Sequence, residues 1–88
     1  MGNVHHQIPS GGLVIGRAPD SNVPLNDTLA SRHHARIEMQ GNVFMVTDLG
    51  STNGTLVNGQ RIQQPQPLHD GDEIRIGNSV MSFRCQYT

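Results

Sequence analysis

Eighty-eight residues with a formal charge of −1 make one small domain, with no global field to draw it to nucleic acid or to a membrane surface. Ten Gly and five Pro, against two Phe and one Tyr, point to many turns around a sparing core, and a single cysteine, Cys85, excludes an internal disulfide. Residues 1–12 read as a short N-terminal segment in which only Val4 to Ile8 offers strand-forming side chains, and 13–88 read as the domain. Leu13-Val14-Ile15 is a short apolar run that stops at Gly16. Ala35 to Met39 alternates, with Ala35, Ile37 and Met39 on one face and Arg36 and Glu38 on the other. Gly41-Asn42 makes a tight turn into a strand over Val43 to Thr47, and Thr55-Leu56-Val57 forms another. Asn58-Gly59 is a type I′ hairpin signal whose return starts at Arg61-Ile62. Asp70-Gly71 turns the chain, Glu73 to Ile76 alternates, and Gly77-Asn78 turns it again. In the last stretch Met81, Phe83, Cys85 and Tyr87 share one face.

Many short strands separated by Gly- and Asn-marked turns predict an all-β fold, a β-sandwich of two twisted, mainly antiparallel sheets. Two long stretches carry no strand signal: Gly16 to about His34, and Gly50 to Gly54. Both are rich in Ser, Thr, Asn, Asp, Gly and Arg, and loops at one end of a rigid sandwich are a usual place for a binding site. No run of apolar residues is long enough for a membrane span and no leader precedes the domain, so with its lone cysteine the chain is expected in the cytoplasm or another reducing intracellular setting.

Three blocks lie in order: Gly16-Arg17; Ser31-Arg32-His33-His34-Ala35; and Asp48-Leu49-Gly50-Ser51-Thr52-Asn53-Gly54-Thr55, followed by Val57-Asn58-Gly59. With Leu68, Gly71-Asp72, Ile74 and Ile76-Gly77, they resemble the forkhead-associated (FHA) family over roughly residues 13–84. The resemblance implies an FHA/SMAD-like sandwich of eleven strands whose end loops hold phosphothreonine, without cofactor, metal or catalysis. It assigns Arg17, Ser31 and Thr52 to the phosphate and Arg32 to the phosphate or peptide. Asn53 falls to the peptide backbone, and Gly16, His34 and Gly54 support the site. In some relatives an arginine two places before the motif serine reads the peptide three positions after the phosphothreonine. Leu29 stands there, which favours an apolar side chain at that peptide position. The family also has a strand or two before the Leu13 segment, so the first strand is expected to be missing or shortened. The final strand would then have an exposed edge and could pair with a second copy.

The chemistry of these residue types suits the roles. A phosphothreonine carries about −1.5 to −2 charge and three strong acceptor oxygens. Arginine presents a planar fork of donors, serine and threonine hydroxyls add donors at low bulk, and asparagine donates and accepts at once. Other chemistries lack support. The five histidines sit at no known metal-ligand spacing. Ser31, His34 and Asp48 could suggest a hydrolase, but no nucleophile elbow accompanies them. No Gly-Lys-Ser/Thr phosphate loop is present, and with no lysine all fixed positive charge is arginine. The competing reading is phospho-independent interaction, or self-association through a sandwich face or exposed edge strand.

Overall fold

The computed structural model describes residues 5–85. Nine strands run in chain order: β1 (Leu13–Gly16), β2 (Val23–Pro24), β3 (Ala35–Gln40), β4 (Val43–Asp48), β5 (Thr55–Val57), β6 (Gln60–Arg61), β7 (Gln66–Pro67), β8 (Glu73–Ile76) and β9 (Ser79–Ser82). They form a five-stranded sheet, β2-β1-β3-β4-β7, and a four-stranded sheet, β6-β5-β8-β9. Every pairing is antiparallel except the two-residue parallel contact of β1 with β2.

Alternation decides which face meets the other sheet. Leu13 and Ile15 of β1, Ala35 and Ile37 of β3, and Val46 of β4 are buried, as are Val57 of β5 and Ile74 and Ile76 of β8. Val23 of β2, with Ala30, Leu68 and Phe83 from outside the strands, completes the core. The rings of Phe44 and Phe83 meet edge-on with centroids 5.4 Å apart, joining the two layers where few aromatics are available. The predicted face of the last stretch holds through Cys85: Phe83 is buried and Met81 and Cys85 are half-buried, although the ladder itself stops at Ser82. Tyr87 lies outside the described residues.

Asn58 and Gly59 both take positive φ, 51° and 84°, as a type I′ turn requires. The Asn58 side chain also accepts from the Glu73 N–H and donates to Asp72 Oδ1, so it ties the hairpin to the neighbouring strand.

The described residues before Leu13 carry no strand, in keeping with a missing first strand: from His5 to Pro9 the chain is irregular, Ile8 packs against the core, and a turn closed by the Gly12 N–H on the Pro9 carbonyl follows at once. Val4 lies outside the described residues. Two expectations need correction. The described residues contain nine strands, not eleven. The stretch from Gly16 to His34 does contain a strand, β2, and β7 follows the hairpin unannounced. Each is two residues long and carries a proline, so neither has a period to read. Both are edges of the five-stranded sheet, where proline's missing N–H costs no ladder bond and discourages further pairing.

Candidate functional site

The two loop stretches converge at one end of the sandwich because the backbone between β2 and β3 lies directly over the end of β1. Arg17 N–H bonds the Ser31 carbonyl at 2.9 Å, Ala18 N–H the Arg32 carbonyl at 2.9 Å, and His34 N–H the Ile15 carbonyl at 2.8 Å. Gly16 sits beneath this crossing. A Cβ there would lie 2.8 Å from the Arg32 carbonyl carbon and 3.0 Å from the His33 Cα, and would strike the Arg32 carbonyl oxygen itself. Glycine is therefore required by backbone contact.

His34 joins this crossing to the other sheet. Its ring is fully buried. Nδ1 accepts the Ser31 N–H at 3.0 Å and Nε2 lies 2.8 Å from the Gly54 carbonyl. An amide can only donate and a carbonyl only accept, so the ring is neutral in this arrangement with its hydrogen on Nε2. Gly54 in turn has φ +86°, and a side chain there would run into Arg61.

The loop from Gly50 to Gly54 is wired to Asp48. The carboxylate accepts from the N–H groups of Gly50 and Ser51 and from the hydroxyls of Ser51 and Thr55. Ser51 Oγ also accepts the Gly54 N–H at 2.9 Å. Burial alone would raise the Asp48 pKa; the hydrogen bonds from Ser51 and Thr55 outweigh it and hold the carboxyl below its usual range. On the other side Asp27 anchors the loop before Ser31. Its Oδ1 accepts the Leu29 N–H, and Oδ2 accepts from the Asn78 N–H and the Ser79 hydroxyl. Those bonds, the Leu29 amide first and the Ser79 hydroxyl next, lower its pKa.

On this frame Arg17, Ser31, Thr52 and Asn53 come together. Ser31 Oγ accepts the Thr52 N–H at 3.2 Å, which leaves the serine hydroxyl hydrogen to donate outward. Arg17 spends Nε on the Ala30 carbonyl at 3.1 Å, which orients the guanidinium and leaves its terminal N–H groups without a bonded partner among the described residues. Asn53 donates to the Leu29 carbonyl at 2.7 Å, keeping its carbonyl oxygen and a second N–H for a ligand. Arg17, Arg32, Thr52 and Asn53 are exposed and Ser31 is half-buried. Arg32 is held through its backbone, its carbonyl taking the Ala18 N–H and the Ser21 hydroxyl, while its guanidinium has no bonded partner among the described residues. The arrangement offers convergent donors on an open surface, suited to a tetrahedral anion attached to an extended chain.

Sequence reasoning missed two contributors. Ser51 was legible only as part of its motif, and its two-way hydroxyl depends on the loop's closed shape. Asp27 carried a local signal, a carboxylate two residues before the amide it accepts; its contact 51 residues away to Asn78 did not. His33 is exposed, and its Nε2 lies 3.0 Å from the exposed Asp20; this hydrogen bond is the main cause of that carboxyl's lowered pKa.

The FHA domain family model matches residues 13–77. The chain is 44% identical over 79 residues to the FHA domain-containing protein FhaA of Mycobacterium tuberculosis, covering 90% of this chain and 15% of that protein. It is 40% identical over 72 residues to FhaB of the same species, covering 82% of this chain and 46% of FhaB. The chain thus spans less than half the length of these relatives. One solved structure, from a study of phosphothreonine-dependent FHA domain interactions, superposes with a TM-score of 0.86 at 42% identity, covering 92% of this chain and 83% of that one. The N-terminal FHA domain of Saccharomyces cerevisiae Rad53p, solved with a phosphothreonine peptide, gives a TM-score of 0.69 at 34% identity, covering 75% of this chain and 56% of that one.

Two outcomes follow from the frame. Gly16→Ala forces the Ser31–His33 backbone away from β1; amide chemical shifts of Ser31, Thr52 and Asn53 will move together, and unchanged shifts there would contradict the account. The Asp48 carboxyl has a folded pKa below its unfolded one, so its stabilisation is complete above about pH 4 and is lost as pH falls through the lower folded value. Urea unfolding will show Asp48→Asn less stable than the parent at neutral pH, with a shallower decline below about pH 4.

Proposed function

The chain belongs to the FHA family, and on that footing we propose that it is a phosphothreonine-dependent docking module that holds a phosphorylated partner peptide without turning it over. The observation that carries this reading is the convergence of the Arg17 guanidinium, the Ser31 hydroxyl and the Thr52-Asn53 segment on one open surface, each already fixed by a bond to backbone. Donors fixed before binding lose little conformational freedom when the ligand arrives.

Arg17, Ser31 and Thr52 take the phosphate, and Arg32 adds charge beside it. Asn53 bonds the peptide backbone. Gly16, His34 and Gly54 act through the loops they shape. Leu29 is 44% exposed, and its carbonyl receives the Asn53 amide. Its side chain offers apolar contact to the peptide three residues after the phosphothreonine. The lone cysteine agrees with a reducing intracellular location, which belongs to the same proposal.

Charge-assisted bonds contribute about 1.5–3 kcal/mol each. Arg17→Ala will therefore weaken binding by more than about tenfold. Titration of parent and variant with one peptide set as phosphothreonine, phosphoserine and unphosphorylated threonine, carrying Leu or Asp three residues on, tests the reading. Binding confined to the phosphorylated forms, strongest for phosphothreonine with Leu and lost in Arg17→Ala, supports it. Equal binding of all forms sinks it.

Self-association has one observation in its favour. β9 is an edge strand among the described residues, and its Val80 is 53% exposed. Strand pairing there would appear as a concentration-dependent dimer in light scattering; a monomer at high concentration disposes of it.

A further inference from the structure

Resting on that reading, we propose that the outer face of the four-stranded sheet is a second contact surface, for an acidic segment of the same phosphorylated partner. Arg61 of β6, Leu56 of β5 and Arg75 of β8 stand directly opposite one another, and Val80 of β9 continues the row. Residues opposite each other in antiparallel strands share a face. Thr55 and Val57 flank Leu56, Ile74 and Ile76 flank Arg75, and all four are buried, so the row points outward.

Both arginines are exposed, and neither guanidinium has a hydrogen bond or an ion pair among the described residues. The arginine ion pairs there belong to Arg36 and Arg84. Glu73, two residues before Arg75 on the same face, pairs with neither arginine. The two charges stand on either side of one leucine with no anion paired to them, and an anionic occupant would meet both at once.

Position links the row to the docking loops. The Arg61 side chain lies against Gly54, next in sequence to Asn53. It lines a groove of about 310 Å³ with Thr47, Asp48, Gly50 and Ile62 among others. The row thus starts beside the peptide-binding loop and runs away from it across the sheet. β6 and β8 lie on either side of β5, which places the two arginine Cα atoms about 10 Å apart, the span of roughly three residues of extended chain. An acidic stretch continuing from the docked phosphopeptide matches that charge and that spacing.

The test uses the domain with phosphothreonine peptides carrying a tail of glutamates, or the same tail of glutamines, at either end. The glutamate tail at one end will tighten binding by about three- to tenfold over glutamine, as expected for two partly exposed ion pairs. The gain will fade at high salt. Arg75→Gln, remote from the loops, will remove part of the gain and leave the glutamine-tailed peptide's affinity unchanged; Arg61→Gln with Arg75→Gln will abolish the gain. Equal affinity for the two tails overturns the proposal, and so does a gain that survives the double variant. If no phosphothreonine peptide binds at all, the docking reading itself fails. An unphosphorylated glutamate peptide then tests the arginines alone: capture lost in the double variant upholds the surface, and no capture overturns it.

Discussion

The binding end of this domain depends on one buried imidazole. His34 stands at the head of β3 in one sheet, accepts the amide of Ser31 and meets the carbonyl of Gly54, which leads into β5 of the other sheet. A buried ring with both nitrogens satisfied is favourable, while losing either partner would leave a buried polar atom unpaired at a cost of about 1–3 kcal/mol. The imidazole therefore sets the separation of the two loops, and Ser31 and Thr52 inherit their contact from it. Gly16 plays the complementary part by leaving room for the backbone that carries Ser31 and His34.

Charge is divided in a way the net value hides. Asp27, Asp48 and Asp72 each accept backbone amides and side-chain donors, and each is held below its usual pKa. Asp27 and Asp48 thereby wire the loops around Ser31 and Thr52, Asp72 does the same for the turns beyond β5 and before β8, and the Arg17 and Arg32 side chains are exposed on the surface the first two form. A chain of charge −1 can thus carry a local cluster of arginines, because Asp27 and Asp48 are taken up in hydrogen bonds.

Much of this was legible in the sequence, and the reason differs by element. β3, β5 and β8 alternate between the faces of a sandwich with a thin core, so burial imposes a period of two that can be read directly. The Asn58-Gly59 turn was legible because few residues accept positive φ. β2 and β7 are held by their neighbours and have too few residues to show a pattern. Arg17, Ser31, Thr52 and Asn53 were singled out through resemblance, and the fold brings them together. Their supports were legible only where they act locally, as Asp48 does on Gly50 and Ser51. The reach of Asp27 to Ser79 and of His34 to Gly54 is a property of the closed fold.

Ser31 lies in a loop that enters β3 of one sheet, and Thr52 in a loop that crosses from β4 of that sheet to β5 of the other. A ligand bound to both is therefore a cross-link as well as a cargo. Ligand free energy adds to folding free energy whenever the native state alone binds, and here it would add at the seam between the layers. A partner that pulls on its docked peptide would load both sheets together, so the core between them shares the tension and the hold is stiffer than a single loop could make it.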